Sequence, residues 1–367
     1  MSMIAGILNI SDAERAFVAN VGHQLVFDAV SQALATYNAE LALMASAFIE
    51  RETEKHQFRY LLAGGGRLQR MGQQAAPGAV KRYGYYDVAF PLREWGAEHA
   101  GTRVGMAYMT IAELDAHLKT IMIQDRNTMI WRILIAIMED TNLTFTDPVE
   151  GSLTIRRLAN SDSSGPGATA TLYPPVLGST TEANDNHYID AGYAVNAIAA
   201  GSEPHLTLRN EIAEHFGGIG PVGKNFVYFH GSDQTAYLAA IAGYVPLTDR
   251  YIQAGEDTAT IPNFPNVPGR IHGRAAGVWL SEWAYMVDKW GLEVLLDVPA
   301  PIIKRNDPAD TGLPKGLTLV ATDVQFPMLR ATYIHRYGLG CGNRLSAAAI
   351  YINGANGGYS PMTGYTE

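Results

Sequence analysis

The sequence is short of cysteine and of long apolar runs. Cys341 is the one cysteine among 367 residues, which excludes an intramolecular disulfide and any zinc site built from several thiolates. No uninterrupted apolar run reaches the roughly twenty residues that a bilayer crossing needs. The first residues, MSMIAGILNISDAER, lack a basic stretch followed by a long apolar run. We therefore expect a reducing compartment, no signal peptide and no membrane span.

Charge is also sparse. Charged residues make up 17% of the chain, and the formal net charge is −9. Tight binding to nucleic acid requires clustered lysine and arginine to neutralise phosphates, and the sequence shows no such cluster. Apolar residues make up 47% of the chain, enough to bury a core in two or three structural units.

Signatures of catalysis and of metal binding are missing. The ten histidines form no HExxH motif, and neither GxSxG nor a Cys/His signature is present. His187, His230 and His272 are scattered, and a lone histidine is more often an ordinary polar residue than a ligand. Acidic residues such as Asp185 and Glu256 fit a solvated surface. We predict no catalytic residue, no cofactor and no metal ligand.

One stretch imitates a phosphate-binding loop. Residues 218–224, GIGPVGK, satisfy both GxGxxG and GxxxxGK spacings. A phosphate loop leads from a strand into a helix N-terminus, whereas here a helical pattern ends at Gly217 and a strand pattern begins near Asn225. The glycines therefore indicate a helix stop and a turn. A second glycine-rich run, GLGCG at 338–342, lies between strand patterns and predicts a turn or bulge.

Residues 110–140 predict one long helix. Thr110 and Glu113 have the spacing of a capping box, and apolar residues recur with a period near 3.6. At ~1.5 Å per residue the helix would be about 45 Å long, which suits a structural spine.

The region before this spine predicts a helical arm and a ribbon. Residues 12–54 have a helical apolar pattern, with a bend or break expected at Gly22. Residues 58–62 and 80–90 are rich in β-forming side chains and are separated by glycines and Pro77, which predicts a long hairpin or extended loop. A two-stranded ribbon is marginal in water, so we expect it to lie on a neighbouring surface. Residues 93–103 are predicted to be a polar connection.

The region after the spine predicts a mixed α+β class. Residues 143–160 alternate around a turn and predict a hairpin. Residues 186–314 combine strands with helices that Ser202 and Ser232 are expected to cap. Strand patterns at 317–324, 328–337 and 345–352 are predicted to return and close a sheet against the spine.

The order of these pieces resembles that of the major capsid proteins of tailed bacteriophages, which have the Hong Kong 97 fold. Two runs carry the resemblance most clearly: YDVAFPL at 86–92, and HRYGLGCGNR at 335–344 followed by LSAAAIYI. The second run is similar to a pattern of the family that combines Phe-Gly-x-Gly, Asn-Arg and a terminal strand. Tyr337 stands at the position where an aromatic residue is usual.

The resemblance implies the following division of the chain. Residues 1–57 would form an N-terminal arm, 58–100 the E-loop, 101–185 a P-domain with its spine helix and hairpin, and 186–314 the A-domain. Residues 315–353 would return to the P-domain, and 354–367 would form a C-terminal tail.

It also implies self-assembly into hexamers and pentamers of an icosahedral shell in the host cytoplasm, around DNA contacted without sequence specificity. A portal, a scaffold and a decoration protein would be further partners. The residues expected to make intersubunit contacts are aromatic side chains of the ribbon and one arginine: Phe58, Tyr60, Tyr83, Tyr85, Tyr86 and Arg93. Packing within one chain is an equally good interpretation of each. In some members of the family a ribbon lysine forms an isopeptide cross-link. Lys81 is the only lysine of the ribbon here, and no recognisable partner motif follows it, so we do not transfer this cross-link to the present chain.

Two alternatives remain at the level of sequence. The first is the shell of an encapsulin-like cellular compartment, which shares the fold. The second is a cytoplasmic enzyme or ligand-binding protein with its site in 186–314. Particle size separates a phage capsid or an encapsulin-like shell from an enzyme, which should form only a small oligomer.

Overall fold

The computed structural model describes residues 17–18, 23–62, 70, 84–160, 186–216, 225–247, 267–325, 328–354 and 357–362. The α-helices of this part are α1 (His23–Ala45), α2 (Arg103–Tyr108), α3 (Ile111–Met138), α4 (Pro204–Phe216) and α5 (Ser232–Ala239). Its strands follow in chain order: β1 (Ile49–Thr53), β2 (Gln57–Leu62), β3 (Gly84–Ala89), β4 (Arg93–Thr102), β5 (Leu143–Asp147), β6 (Gly151–Ile155), β7 (Tyr188–Asp190), β8 (Phe226–His230), β9 (Val245–Pro246), β10 (Arg270–Ala275), β11 (Val278–Glu282), β12 (Trp290–Leu295), β13 (Ile302–Arg305), β14 (Thr318–Gln325), β15 (Met328–Cys341) and β16 (Ala347–Tyr351). The mixture of helices and strands confirms the predicted α+β class.

The described residues divide into two compact units. The first is drawn from Met1–Ala45, Pro91–Arg132 and Arg305–Gly338, and the second from Ser46–Phe90, Ile133–Lys304 and Leu339–Glu367.

In the first unit a helix pair accompanies an antiparallel sheet. Strand β15 lies between β14 and β4 and pairs with both. The predicted spine is confirmed as α3, and its capping box forms as expected: the backbone N–H of Thr110 donates to Oε2 of Glu113 at 2.8 Å, while the N–H of Glu113 donates to Oγ1 of Thr110 at 3.2 Å. These reciprocal bonds satisfy donors that the first helical turn leaves without partners.

In the second unit a seven-stranded mixed sheet has the order β7-β16-β12-β8-β11-β10-β9. Helices α4 and α5 contribute Leu208, Ile212 and Leu238 to a core with Phe226, Tyr228 and other side chains of the sheet. The hairpin predicted at 143–160 is confirmed as β5 and β6, with Phe145 opposite Leu153. Strands β2 and β3 pair with each other in a separate two-stranded ribbon.

Several local predictions were wrong. The N-terminal helix ends at Ala45, and Ile49 begins a strand, because β1 takes a place in a sheet beside β13. Residues 93–102 form β4 and residues 103–108 a short helix, although a polar connection was predicted. In the run predicted to be a turn or bulge, Gly338 and Gly340 lie inside β15, so neither is in a turn, and Gly342 follows the end of that strand. Of the three returning strands, β16 belongs to the seven-stranded sheet.

The predicted serine caps were also misplaced. Helix α4 begins two residues after Ser202, and Ser232 is itself the first residue of α5, whose N-cap is Gly231. The phosphate-loop imitation at 218–224 and the predicted break at Gly22 lie outside the described residues.

Candidate functional site

The base of the ribbon is an aromatic pair held across two strands. Tyr60 of β2 lies directly opposite Tyr86 of β3, and their rings stack with centroids 5.1 Å apart and planes 14° from parallel. Cross-strand aromatic pairs of this kind stabilise a two-stranded sheet that is marginal alone. The pairing therefore fixes the register of the ribbon where it leaves the body of the second unit.

Tyr86 is anchored inside its own chain. Its ring is buried, its hydroxyl donates to the carbonyl oxygen of Gly342 at 3.3 Å, and burial raises the pKa of the hydroxyl. The guanidinium of Arg344 lies 5.6 Å from the centroid of the Tyr86 ring. Arg344 is also buried, and Nη2 donates to the carbonyl oxygen of Leu158 at 2.9 Å and to Oδ1 of Asn160 at 3.1 Å. Arg344 thus joins the ribbon base to the chain that follows β6.

Two glycines make room for these contacts. A Cβ atom on Gly340 would lie 2.6 Å from Cδ1 of Phe90, and one on Gly342 would lie 2.5 Å from Oη of Tyr60 and 2.7 Å from Cδ1 of Ile303. Real Cβ atoms do not approach so closely. Close packing against the ribbon base therefore requires glycine at positions 340 and 342.

Phe58 lies at the edge of the same cluster. Its ring contacts Phe90 edge-on, with centroids 5.9 Å apart, and the side-chain cations of Arg51 and Lys55 lie 4.9 and 5.2 Å from the Phe58 centroid. Such cation–π contacts hold a half-exposed aromatic ring in place. The hydroxyl of Tyr60 is buried with no hydrogen-bond partner in the part of the chain that the structure describes, and burial raises the pKa of Tyr60 to about 12.

The structure thus brings together Phe58, Tyr60 and Tyr86 of the predicted contact residues. Arg93 is the first residue of β4 and lies opposite Tyr337 in register. Tyr85 pairs with Leu61 through the backbone, and Tyr83 lies outside the described residues. The intersubunit role of all six stays a prediction. Sequence reasoning missed Phe90, Gly342 and Arg344 as members of the cluster, although all three lie in the runs that carried the family resemblance.

The first unit exposes apolar side chains along its helices. Leu25 and Leu43 of α1 are 57% and 55% exposed, and Ile123 of α3 is 54% exposed. A groove of about 450 Å³ runs between these helices, with Tyr37 and Met122 among its apolar residues and charged side chains along it. The charged side chains are Glu40, Lys119 and Arg126.

The seven-stranded sheet buries polar groups beneath α4. Glu293 of β12 is fully buried, and neither carboxylate oxygen has a hydrogen-bond partner among the described residues. Burial raises the pKa of this carboxyl well above its usual value, against the opposing charge of Arg209. His205 of α4 is also fully buried, and no residue that the structure describes forms a hydrogen bond with either of its ring nitrogens. Burial together with Arg209 lowers the pKa of His205 to about 4. Burial therefore favours the uncharged form of both groups.

Among the described residues no three histidine, cysteine or acidic side chains cluster in a way that would hold a metal ion. The helices in this part of the chain also include none with the length and apolar character of a membrane crossing.

Comparison with known proteins gives a fold and no sequence family. No protein-family model matches the sequence, and no curated protein matches it. A solved structure titled Mycobacterium phage Patience superposes with a TM-score of 0.68 at 15% identity, covering 95% of this chain and 93% of that one. The capsid of an empty GTA particle gives a TM-score of 0.47 at 12% identity, with 85% and 90% covered. The capsid of Myoviridae phage XM1 gives 0.43 at 9% identity, with 85% and 91% covered.

The chain therefore has the fold of a phage protein over nearly its whole length, as the order of its elements predicted. The similarity to the Patience structure carries this conclusion, since it covers both chains almost completely. A sequence identity of 15% is too low to transfer anything beyond the fold.

Proposed function

We propose that this chain is a major capsid protein that self-assembles into hexamers and pentamers of an icosahedral shell enclosing phage double-stranded DNA. The observation that carries the proposal is the match to the Patience phage structure across 95% of the chain. The same proposal includes the division of the chain into N-terminal arm, E-loop, P-domain, A-domain and C-terminal tail. It also includes location in a virion that is built in the host cytoplasm. A portal, a scaffold and a decoration protein as partners belong to it as well.

Two features of the surface support assembly. The ribbon is a two-stranded sheet whose strands pair with each other, a form that rarely stands alone in water. Helices α1 and α3 expose leucine and isoleucine side chains beside a groove. Other subunits of the same protein would cover such surfaces in a shell. The net charge of −9 fits a shell whose contacts with DNA are few and non-specific.

Negative-stain microscopy and sedimentation of the purified full chain test the proposal. We expect rings of five or six copies and closed shells. A stable monomer or dimer under every assembly condition would contradict it and favour an enzyme or binding protein with a site in 186–314. Shells that reproducibly enclose one cargo protein and have no portal would favour a cellular compartment.

A pair of ribbon variants tests the intersubunit role. We expect Tyr83→Ala combined with Tyr85→Ala to leave the circular dichroism spectrum and the unfolding midpoint unchanged while greatly reducing the yield of shells. The matched control is Tyr237→Ala, which removes a partly exposed tyrosine from α5 and should leave shell yield unchanged. Normal shells from the ribbon variant would show that these two tyrosines are not intersubunit contacts.

A further inference from the structure

Two histidines of the second unit meet ring to ring near the edge of the seven-stranded sheet. Nε2 of His230 lies 3.0 Å from Nε2 of His272, and the rings are perpendicular, with an interplanar angle of 89°. The other ring nitrogen of each histidine contacts an oxygen atom. Nδ1 of His230 lies 2.8 Å from the carbonyl oxygen of Gly231, and Nδ1 of His272 lies 2.9 Å from Oη of Tyr244.

The backbone is shaped to bring these rings together. Strand β10 shifts register against β11 between Ile271 and Gly273, and a bulge of this kind redirects the side chain that it carries. His272 is the residue at the shift. Gly273 then admits the ring of Tyr244, because a Cβ atom there would lie 2.3 Å from Cε2 of the tyrosine. The bulge therefore positions the His272 ring, and Gly273 leaves room for the Tyr244 ring that contacts it.

The Gly231 carbonyl sets the direction of the hydrogen bonds. A carbonyl oxygen only accepts, so Nδ1 of His230 must carry a proton. When His230 is neutral its Nε2 is an acceptor, and Nε2 of His272 must donate to it. Nδ1 of a neutral His272 is then an acceptor, which the hydroxyl of Tyr244 serves as donor. The neutral pair thus has one defined arrangement of protons.

One additional proton can enter without loss of any contact. His272, the less buried of the two rings, then carries protons on both nitrogens and donates from Nε2 to Nε2 of His230. From Nδ1 it donates to Oη of Tyr244, whose own proton turns to the backbone carbonyl oxygen of His272, also 2.9 Å away. A second additional proton has no such solution, because two N–H groups would face each other across 3.0 Å.

The surrounding charges act in both directions. Glu282 of β11 lies opposite His230 in register and favours the charged form of both histidines, while Arg270 of β10 opposes protonation of His272. Nδ1 of His230 donates to Gly231, which favours its protonation, and His272 and His205 of α4 oppose it. Burial dominates and lowers the pKa of His230 to about 4 and the pKa of His272 below its usual value. The Tyr228 ring stacks on His230 and adds no charge.

We propose that His230 and His272 act as a coupled pair that takes up one proton with every hydrogen bond retained and separates on uptake of a second. The segment that depends on this pair is the sheet edge, since β9 is the last strand and the N–H of Leu247 and the hydroxyl of Tyr244 both bond to the carbonyl oxygen of His272. The β9–β10 edge therefore stays closed through the first protonation and opens at the second. This inference is independent of shell formation and stands or falls separately from the proposed function.

Solid-state nuclear magnetic resonance of the full chain with ¹⁵N-labelled histidine tests the pair, whether or not the protein is assembled. At pH 8 we expect His230 protonated on Nδ1 and His272 protonated on Nε2, with signals assigned through the His272→Gln variant. On acidification we expect two separate titration steps, the first without and the second with faster hydrogen exchange in 244–247 and 270–275. The same tautomer on both histidines at pH 8, or a single titration step shared by two independent rings, would overturn the proposal.

The variant Tyr244→Phe gives a second measurement. This substitution removes the acceptor that the one-proton form needs. Because hydrogen bonds donated by a charged group are stronger than neutral ones, the first proton should bind about tenfold more weakly. Tyr237→Phe is the control and should leave proton binding unchanged. An unshifted first step in a folded Tyr244→Phe protein would also overturn the proposal, and if this variant fails to fold, the tautomers of the unaltered chain decide the question.

Discussion

Nδ1 of His335 donates a hydrogen bond of 2.8 Å to Oδ1 of Asp125, deep within the first unit. The other carboxylate oxygen accepts a bond of 2.9 Å from the hydroxyl of Tyr37. Asp125 lies in the middle of α3, Tyr37 in α1 and His335 in β15, and all three are buried. One carboxylate therefore ties the spine helix to the arm helix and to the central strand of the sheet.

This arrangement predicts a graded response to substitution. Tyr37→Phe removes one hydrogen bond to a charged group and should cost about 1.5 to 3 kcal/mol of unfolding free energy. Asp125→Ala leaves the buried Nδ1 of His335 without its acceptor, whereas the hydroxyl of Tyr37 still has the carbonyl oxygen of Met122 at 2.9 Å. The loss of this buried pair should cost more, about 3 to 5 kcal/mol. Calorimetric unfolding of the purified proteins measures both. Tyr108→Phe, at an exposed tyrosine of α2, should change the stability by less than about 0.5 kcal/mol. Equal effects at Tyr37 and Tyr108 would show that the carboxylate bond contributes little.

The glycine at the ribbon base gives a steric prediction. Gly342→Ala places a methyl group against Tyr60 and Ile303, and such overpacking costs about 1 to 3 kcal/mol. Gly357→Ala is a matched control, since a Cβ atom there meets nothing within 4 Å. Thermal unfolding should show a lower midpoint for Gly342→Ala alone. If the two variants unfold at the same temperature, the ribbon base does not pack on Gly342 in solution.

The buried carboxyl of Glu293 predicts a stability that falls as the pH rises. Burial raises the pKa of this carboxyl in the folded state. The folded chain therefore keeps the proton to a higher pH than the unfolded chain, which releases it above a pKa of about 4.3. Above that pH the unfolded state binds fewer protons, so each further unit of pH favours unfolding. Glu293→Gln removes this dependence, and its advantage in unfolding free energy over the unaltered chain should grow from pH 5 to pH 8. Glu40→Gln, which removes an exposed carboxylate from α1, should show no such growth.

His205 predicts the opposite slope. Burial lowers its pKa to about 4, so between about pH 6.5 and pH 4 the unfolded chain takes up a proton that the folded state excludes. Stability is lost over that interval as the pH falls, and a shift of this size corresponds to about 3 kcal/mol. His205→Leu should therefore lose less stability than the unaltered chain between pH 7 and pH 4. Asn210→Ala, on the exposed side of the same helix, should follow the unaltered chain, and parallel curves for all three proteins would exclude this role of His205.

The sequence predicted the ribbon of the candidate site but not the residues that pack against it. The aromatic character of residues 58–60 and 83–86 pointed to the ribbon, because aromatic side chains are favoured in strands. The partners of those side chains could not be foreseen. Arg344 and Gly342 lie more than 250 positions from Tyr86, and only folding shows that a tyrosine hydroxyl reaches one of them and that an arginine covers its ring.

Strand β4 shows how tertiary structure overrides local preference. Its sequence, REWGAEHAGT, is rich in glycine, alanine and glutamate, which are uncommon in strands. It is nevertheless extended over ten residues because every one of them lies opposite a residue of β15. A backbone ladder with a strand 235 positions away is not visible in any local window.

The sequence by itself determined the elements whose stabilising contacts are close in the chain. The capped spine helix and the β5–β6 hairpin depend on neighbours within a few residues, so their patterns were sufficient to predict them. Tertiary structure alone decided which strands share a sheet, that Gly340 lies within a strand against the Phe90 ring, and that Asp125, His230 and His272 find partners on distant elements. Such contacts join residues far apart in the chain, and their free energy exists only once the whole chain has folded.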